Sequence, residues 1–192
     1  MNAVILHIPP VAKLTDEQFY EICQANRDFR FERSAIGELI IMPPTGGGTG
    51  RSNLKVSQQL GNWSDVDGTG VAFDSSTGYR LPNGADRSPD AAWITLEKWN
   101  TLTAEEQEKF LPFAPDFVVE LRSPSDALQP LRDKMQEYIE NGTRLGWLIN
   151  RKDRQVEIYR RGREKEVLDN PVSLSGENVL PGFVLNLAVV WG

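Results

Sequence analysis

A strand–helix–strand segment in the middle of the chain constrains the fold more than any other feature. Residues 117–121 and 145–150 form two short apolar runs, each long enough for a buried strand. A helix is predicted between them over 133–141, and it ends before Gly142, a residue that favours helix termini. Two strands that are joined through a helix pair in parallel within one sheet. The segment therefore predicts an α/β fold with a parallel strand pair.

The flanking sequence adds helices and antiparallel strands to this unit. Apolar periodicity, capping residues and turn residues predict further helices over about 15–28, 51–64 and 96–111, and strands around Ile36-Gly37, between Gly70 and Trp93, and over 156–160. No internal repeat and no long linker interrupts the pattern. We therefore expect one domain over 1–192, with an N-terminal extension at about 1–45, a core at about 51–165 and C-terminal strands at about 166–192.

The glycine-rich stretch at 43–50 (PPTGGGTG) is predicted to be a loop. A phosphate-binding P-loop needs four residues between its glycines, followed by Gly-Lys-Ser/Thr. Here Gly46 and Gly50 enclose three residues, and Arg51 occupies the lysine position. The stretch is better interpreted as a mobile or substrate-approaching loop than as a nucleotide site.

Composition narrows the chemistry that the chain can perform. The only cysteine is Cys23 and the only histidine is His7. A single cysteine cannot close an intramolecular disulfide, which favours a reducing, cytoplasmic compartment. A single histidine argues against a histidine-rich zinc site and against a Ser-His-Asp triad. Any metal chemistry is therefore expected to use oxygen ligands.

The net charge of −6 limits the nucleic-acid functions that remain. A protein that coats DNA without specificity is usually basic, because phosphate contacts dominate its affinity. The acidity counts less against a nuclease, whose site needs carboxylates and whose DNA contact can be a local basic face. No run of about 18 apolar residues is present, so no membrane segment is expected.

Carboxylates on predicted strands are the strongest functional signal. Asp90 opens the strand at 91–94, and Glu120 lies inside the apolar strand that begins at Phe117. Side chains alternate along a strand, so Glu120 and Arg122 share one face. A buried carboxylate needs a cation, and an ion pair between Glu120 and Arg122 is one interpretation. A divalent cation held by Asp90 and Glu120 is the other.

Lys134 extends this series on the helix that follows. A lysine or arginine beside a metal-bound phosphodiester can position the attacking water or stabilise the negative charge of the transition state. The alternative is a helix-surface lysine that pairs with Glu137 or Tyr138. We predict catalytic roles for Asp90, Glu120, Arg122 and Lys134, with Asp90 and Glu120 as the metal ligands.

The segments SPDAAWI, PDFVVELRSPSD and DKMQEYIENGTRLGWLI together resemble the Uma-type restriction endonuclease family, a branch of the PD-(D/E)XK nuclease superfamily. The resemblance extends over most of the chain. It implies a restriction-endonuclease-like mixed central sheet flanked by helices, with an N-terminal helix and β-hairpin as an extension. It also implies cleavage of DNA phosphodiester bonds with Mg²⁺ or Mn²⁺, Asp90 as the PD aspartate and Glu120 as the D/E residue.

The chain departs from the superfamily pattern at one position. Lysine is expected two residues after the glutamate, whereas this chain has Arg122, which is a poor proton acceptor. The family pattern implies that Lys134 replaces that lysine. The rival hypothesis is an inactive interaction or DNA-associated module that keeps the fold. A homodimer would suit the cutting of both strands of a duplex, although no residue pattern establishes one.

Three further charged features have competing interpretations. Glu32 is a weaker candidate for a third carboxylate, and an exposed strand residue beside Arg33 is the preferred interpretation. Asp116 also follows a proline, and we favour a strand-opening turn residue over a member of the acidic cluster. The stretch 151–166 has seven basic and four acidic residues, which fits a solvated hairpin or a contact with the DNA backbone.

Overall fold

The computed structural model describes residues 3–192, apart from the side chain of Pro10. The strands are β1 (Val4–Leu6), β2 (Arg30–Arg33), β3 (Leu39–Met42), β4 (Gly70–Asp74), β5 (Tyr79–Arg80), β6 (Asp86–Arg87), β7 (Ala91–Thr95), β8 (Phe117–Arg122), β9 (Leu145–Asn150), β10 (Gln155–Arg160), β11 (Glu166–Asp169), β12 (Ser173–Ser175) and β13 (Val184–Asn186). The helices are α1 (Asp16–Ala25), α2 (Gly47–Asp67), α3 (Leu96–Asn100), α4 (Ala104–Gln107), α5 (Leu128–Glu140) and α6 (Ala188–Trp191), with a 3₁₀ turn at Pro10–Ala12.

A six-stranded mixed sheet forms the centre of the fold. Its strands lie in the order β11-β10-β9-β8-β7-β4. β8 and β9 pair in parallel, and every other neighbouring pair is antiparallel. The parallel pair predicted from the strand–helix–strand segment is confirmed, and α5 makes the crossover. This crossover carries Lys134 over the strand that carries Glu120.

Helices cover both faces of this sheet. α2 packs through Val56 and Leu60 on one face, together with apolar residues of the C-terminal segment. α5 packs through Met135 and Tyr138 on the other face. Along β8 the buried residues alternate between the two cores as the sequence predicts: Phe117, Val119 and Leu121 face α2, and Val118 faces α5. Position 120 therefore falls on the α5 side.

The N-terminal hairpin lies in a second sheet, of order β1-β3-β2-β6-β5. β5 and β6 come from the chain between β4 and β7, so this sheet joins the predicted extension to the predicted core. Buried charges fix the junction: the Nε atom of Arg33 donates to Asp86 at 2.7 Å, and Arg80 donates to the same carboxylate at 2.9 Å. The hairpin is thereby attached next to the beginning of β7, where Asp90 lies.

Local sequence signals account for most element boundaries. Thr15 caps α1 through a reciprocal capping box with Gln18, and the hairpin of β2 and β3 turns at the predicted Ile36-Gly37. Thr103 caps α4 through a second capping box, but the helix predicted over 96–111 is divided into α3 and α4. A Thr cap satisfies the first N–H groups of a new helix, which explains why the chain restarts there.

The predicted loop at 43–50 is wrong over its second half, because α2 already begins at Gly47. Gly46 is the N-cap residue and has no side chain that could accept a hydrogen bond. Glycine lowers helix propensity but does not forbid helical backbone. The 17 further residues of the helix, which pack on the sheet, supply the stability that the first turn lacks.

Two glycines provide a matched test of this packing. A Cβ atom at Gly70 would overlap the carbonyl oxygen of Ile94 and the ring of Trp93, whereas a Cβ atom at Gly61, within α2, meets nothing within 4 Å. We expect Gly70→Ala to lower the free energy of unfolding by about 2 kcal/mol, because β4 must move away from β7. We expect Gly61→Ala to raise it by about 0.5–1 kcal/mol. Urea unfolding of both variants measures the difference, and equal effects would contradict the packing of β4.

Candidate active site

Three elements bring Glu32, Glu120 and Lys134 together. Glu32 comes from β2, Glu120 from β8 and Lys134 from α5. The Nζ atom of Lys134 lies 2.7 Å from Oε1 of Glu32 and 2.8 Å from Oε1 of Glu120. Both carboxylates are buried, at 3% and 4% exposure. Lys134 is therefore neither a surface lysine nor a partner of Glu137, and one ammonium group joins two carboxylates that are distant in sequence.

Asp90 lies at the edge of this cluster, one residue before β7. The antiparallel register pairs Ala91 with Val119, so Asp90 stands across from Glu120 on the neighbouring strand. Its Oδ2 atom accepts from the backbone N–H of Leu121 at 2.8 Å, and its Oδ1 atom accepts from Asn53 at 2.7 Å. β7 begins only at Ala91, so the Asp90 side chain satisfies an N–H group of β8 that would otherwise lack a partner.

Burial and crowding make Glu120 the most perturbed carboxyl of the cluster. Burial is the largest effect and raises the pKa of Glu120. Lys134 opposes that shift, but the negative charges of Asp90 and Glu32 add to it, and the pKa of Glu120 rises to about 7. Burial also raises the pKa of Asp90, which the N–H of Leu121 offsets only in part.

Glu32 and Lys134 have the opposite balance. Burial alone would raise the pKa of Glu32, but the charges of Lys134 and Arg87 outweigh it, and the pKa of Glu32 is lowered. Burial alone would lower the pKa of Lys134, but Glu120 and Glu32 outweigh it, and that pKa is raised. Both groups therefore remain ionised at neutral pH. Lys134 can stabilise negative charge in this state, but it is unsuited to accept a proton.

Arg122 is not brought into this cluster. Its guanidinium donates to Asp153 at 3.1 Å, to the side chain of Asn150 at 3.3 Å and to the backbone carbonyl of Asp126 at 3.1 Å. These partners lie at the end of β9 or beyond the ends of β8 and β9, so the ion pair between Arg122 and Glu120, one of the two interpretations of the sequence, does not form. Within residues 3–192, the cation that contacts Glu120 is Lys134.

The two other acidic candidates have different places from those expected. Glu32 is not an exposed strand residue, and that prediction is wrong: its side chain is buried, and its carboxylate pairs with Arg87 of β6 and Lys134 of α5. Asp116 is buried but lies outside the cluster: it accepts from the backbone N–H of Thr95 and pairs with Lys98 at 3.1 Å. Its role as a residue that organises the start of β8 agrees with the preferred interpretation.

The oxygen atoms of the cluster suit a hard divalent cation. Oε1 of Glu120 accepts from Tyr138 and Lys134, and among the described residues its Oε2 atom has no hydrogen-bond donor. No group of three or more Asp, Glu, His or Cys side chains within residues 3–192 is arranged around a metal position. Mg²⁺ is commonly bound by one or two carboxylates, with water and substrate oxygens completing its octahedron. Asp90 and Glu120, which stand across from each other on neighbouring strands, are the two carboxylates that could hold such a cation.

The remaining reactive side chains are unsuited to catalysis. Burial, together with the charge of Asp86, raises the pKa of Cys23 to about 11, so its thiol is not a ready nucleophile. His7 is exposed and pairs with Glu38 at 2.7 Å beside the N-terminal sheet. Glu32 is the only member of the cluster that this sheet contributes.

In the part of the chain that the structure describes, no helix is both long and apolar enough to cross a membrane.

Comparison with known proteins identifies the family and the fold of this chain. The family model "Uma2: Putative restriction endonuclease" matches residues 16–188. The chain belongs to this family. A crystal structure from Anabaena variabilis, described as a "putative nuclease belonging to DUF820", has a TM-score of 0.71 and 19% sequence identity, and the match covers 84% of this chain and 89% of that chain. No curated protein matches the chain. The restriction-endonuclease-like fold that the resemblance implies is therefore confirmed.

The raised pKa of Glu120 predicts an unusual gain of stability when the charge is removed. A carboxyl whose pKa is higher in the folded state than in the unfolded state loses stabilising free energy as the pH rises from about 4.5 to 7. We expect Glu120→Gln to raise the melting temperature by a few degrees above pH 7, and this gain to disappear towards pH 4.5. Thermal melts without metal across this pH range measure the effect.

Glu157→Gln is the matched control. Glu157 is also a buried strand glutamate, but hydrogen bonds from Arg132, Lys165 and Tyr159 outweigh burial and lower its pKa to about 2. This variant should lose stability above pH 4.5. A Glu120→Gln protein that melts below the wild type at every pH would show that Glu120 is mainly a structural partner of Lys134.

Proposed function

We propose that this Uma2-family protein is a metal-dependent endonuclease that hydrolyses DNA phosphodiester bonds at the cluster of Asp90, Glu120 and Lys134. The observation that carries the proposal is the position of Lys134. Its ammonium group contacts Glu120, and the neighbouring carboxylate of Asp90 accepts from Asn53 instead. This combination offers oxygen ligands and a permanent positive charge in the same small space. Both are needed to stabilise a phosphodiester during hydrolysis.

The electrostatics of the cluster support a divalent cation between Asp90 and Glu120. Four carboxylates, those of Glu32, Asp90, Glu120 and Glu137, face Arg87 and Lys134, and the charge of Arg30 also acts on Asp90. The negative charges therefore outnumber the nearby cations when all four acids are ionised. When bound, Mg²⁺ or Mn²⁺ would neutralise this excess, draw a phosphodiester oxygen into the site and favour the deprotonation of a nearby water.

The side chains around that position have distinct tasks in the proposed reaction. Asp90 and Glu120 hold the cation, and the hydrogen bonds from Leu121 and Asn53 fix the orientation of the Asp90 carboxylate. Lys134 stabilises the charge that develops on the phosphate oxygens as water attacks. The neutral hydroxyl of Tyr138 on α5 donates to Glu120 at 3.1 Å and holds that carboxylate between β8 and α5. Arg122 anchors the ends of β8 and β9 instead of taking the missing lysine's place.

Two features support DNA as the substrate. The family description names a restriction endonuclease, which cuts DNA. β8 and β9 are parallel, so the residues that follow β9 emerge at the same end of the sheet as Glu120. Those residues include Arg151, Lys152 and Arg154, and basic side chains at this end can contact the DNA backbone. We expect the protein to act in the cytoplasm. A homodimer would place one active site on each strand of a DNA duplex.

Removing the side-chain charge of Asp90, Glu120 or Lys134 should abolish cleavage. We expect Asp90→Asn, Glu120→Gln and Lys134→Met to lower the rate of nicking of supercoiled DNA in Mg²⁺ or Mn²⁺ by about 100-fold or more. EDTA should have the same effect on the wild type. Gel electrophoresis of the plasmid measures the rate.

Asp116→Asn is the matched control, because Asp116, like Asp90, follows a proline, and it is buried outside the cluster. This variant should keep its activity within about threefold, provided that thermal melts show it folded. Calorimetric titration with Mn²⁺ should detect binding to the wild type and none to Asp90→Asn. Nicking that survives Asp90→Asn and Glu120→Gln, or a wild type without cleavage and without metal binding, would favour the inactive-module hypothesis.

A further inference from the structure

Glu32 accepts from three donors on its two oxygens, one donor more than Asp90 or Glu120 has. Its Oε1 atom accepts from Lys134 at 2.7 Å and from the backbone N–H of Ser88 at 3.0 Å. Its Oε2 atom accepts from Arg87 at 3.2 Å. A carboxylate that is held on both oxygens by three donors has little capacity left for a metal ion. Glu120, by contrast, has one oxygen without a donor among the described residues.

The two carboxylates therefore differ in what they offer to Lys134. Glu120 is the proposed metal ligand through its Oε2 atom, and a cation bound there would weaken the attraction between Oε1 and the Lys134 ammonium group. Glu32 is not a ligand in this arrangement and keeps its full charge, since the pairing with Lys134 and Arg87 lowers its pKa. Its bond to Lys134 is the contact that persists whether or not the metal site is filled.

We propose that Glu32 is a positioning residue that holds the Lys134 ammonium group at the active site when Glu120 engages the metal ion. This inference rests on the proposed function and deepens it by adding a residue from the N-terminal sheet. Lys134 has four flexible side-chain bonds, and without an anchor its ammonium would lose its fixed place beside the reacting phosphate.

Arg87 makes this anchor rigid. Its Nε atom donates to Glu137 of α5 at 2.6 Å, and its Nη1 atom donates to Glu32 on β2 at 3.2 Å. Charges thus alternate along a buried line from Glu137 through Arg87, Glu32 and Lys134 to Glu120. Each residue comes from a different element than its neighbour on this line. The line therefore fixes the hairpin, α5 and β8 relative to one another, and Glu32 is its central member.

Glu32→Gln tests the proposal, because glutamine keeps the shape of the side chain and removes the charge. We expect kcat for DNA nicking to fall by about 10- to 100-fold, the range for residues that orient a catalytic group. KM for DNA and the affinity for Mn²⁺ measured by calorimetry should change by less than about threefold. Glu32→Asp, which keeps the charge on a shorter side chain, should recover part of kcat. It also serves as the test variant if Glu32→Gln does not fold.

Glu157→Gln is the matched control for lost buried charge. Glu157 lies on β10, is equally buried, and accepts from both an arginine and a lysine, Arg132 and Lys165, outside the cluster. The Glu157→Gln variant should have a lower melting temperature than the wild type, and its kcat should stay within about threefold of the wild-type value. Unchanged kcat in Glu32→Gln would reduce Glu32 to a structural role. A Mn²⁺ affinity that falls in step with kcat would make Glu32 a metal ligand. Either result overturns the proposal.

A measurement that does not depend on cleavage separates this proposal from the proposed function. The measurement is the NMR signal of the Lys134 ammonium group in ¹⁵N-lysine-labelled protein, which is identified by its loss in Lys134→Arg. The metal is Mg²⁺, because Mg²⁺ is diamagnetic and Mn²⁺ is not. In the wild type with Mg²⁺, the signal should be present. It should disappear in Glu32→Gln under the same conditions, because the freed ammonium exchanges its protons with water. A signal that persists in Glu32→Gln would overturn the role of Glu32 even in an active enzyme. A wild type that shows the expected signals but cuts no DNA would refute only the proposed function.

Discussion

The ammonium group of Lys134, held between Glu32 and Glu120, is the interaction on which the site depends. It lies where the N-terminal sheet, the central sheet and α5 meet, and none of these elements contributes the site alone. Buried charges are tolerated only when oppositely charged groups surround them. The requirement that Lys134 be compensated therefore fixes how the hairpin docks on the core, and the same requirement leaves Glu120 beside Asp90 with a negative charge in excess.

That excess connects stability with function. An acid whose pKa rises to about 7 on folding costs stability at neutral pH, as expected where a binding position has been kept at the expense of the fold. Glu157 shows the other solution on the same sheet, a buried glutamate fully compensated by two cations and a tyrosine, with a pKa of about 2. The contrast between two buried strand glutamates distinguishes a fully compensated ion cluster from one in which burial and neighbouring carboxylates keep the pKa high.

The sequence predicted those parts of the fold and site that depend on local pattern. Alternation along β8 predicted which face Glu120 occupies, and the strand–helix–strand segment predicted the parallel pair over which α5 carries Lys134. Contacts between distant segments were not predictable in this way. Glu32 lies 102 residues from Lys134, and neither the alternation nor the composition of its strand indicates burial. Arg122 shares a strand face with Glu120, but Asp153, 31 residues away, binds it instead.

A crystal structure with Mn²⁺ tests the central claim most directly, because the anomalous signal of manganese locates the ion without reference to activity. The account predicts a peak coordinated by carboxylate oxygens of both Asp90 and Glu120, with the Lys134 ammonium still bonded to Glu32. Soaks of Asp90→Asn crystals should lose the peak. A peak that involves Glu32 in place of Glu120, or no peak near Asp90 at saturating Mn²⁺, would contradict the assignment of the active site.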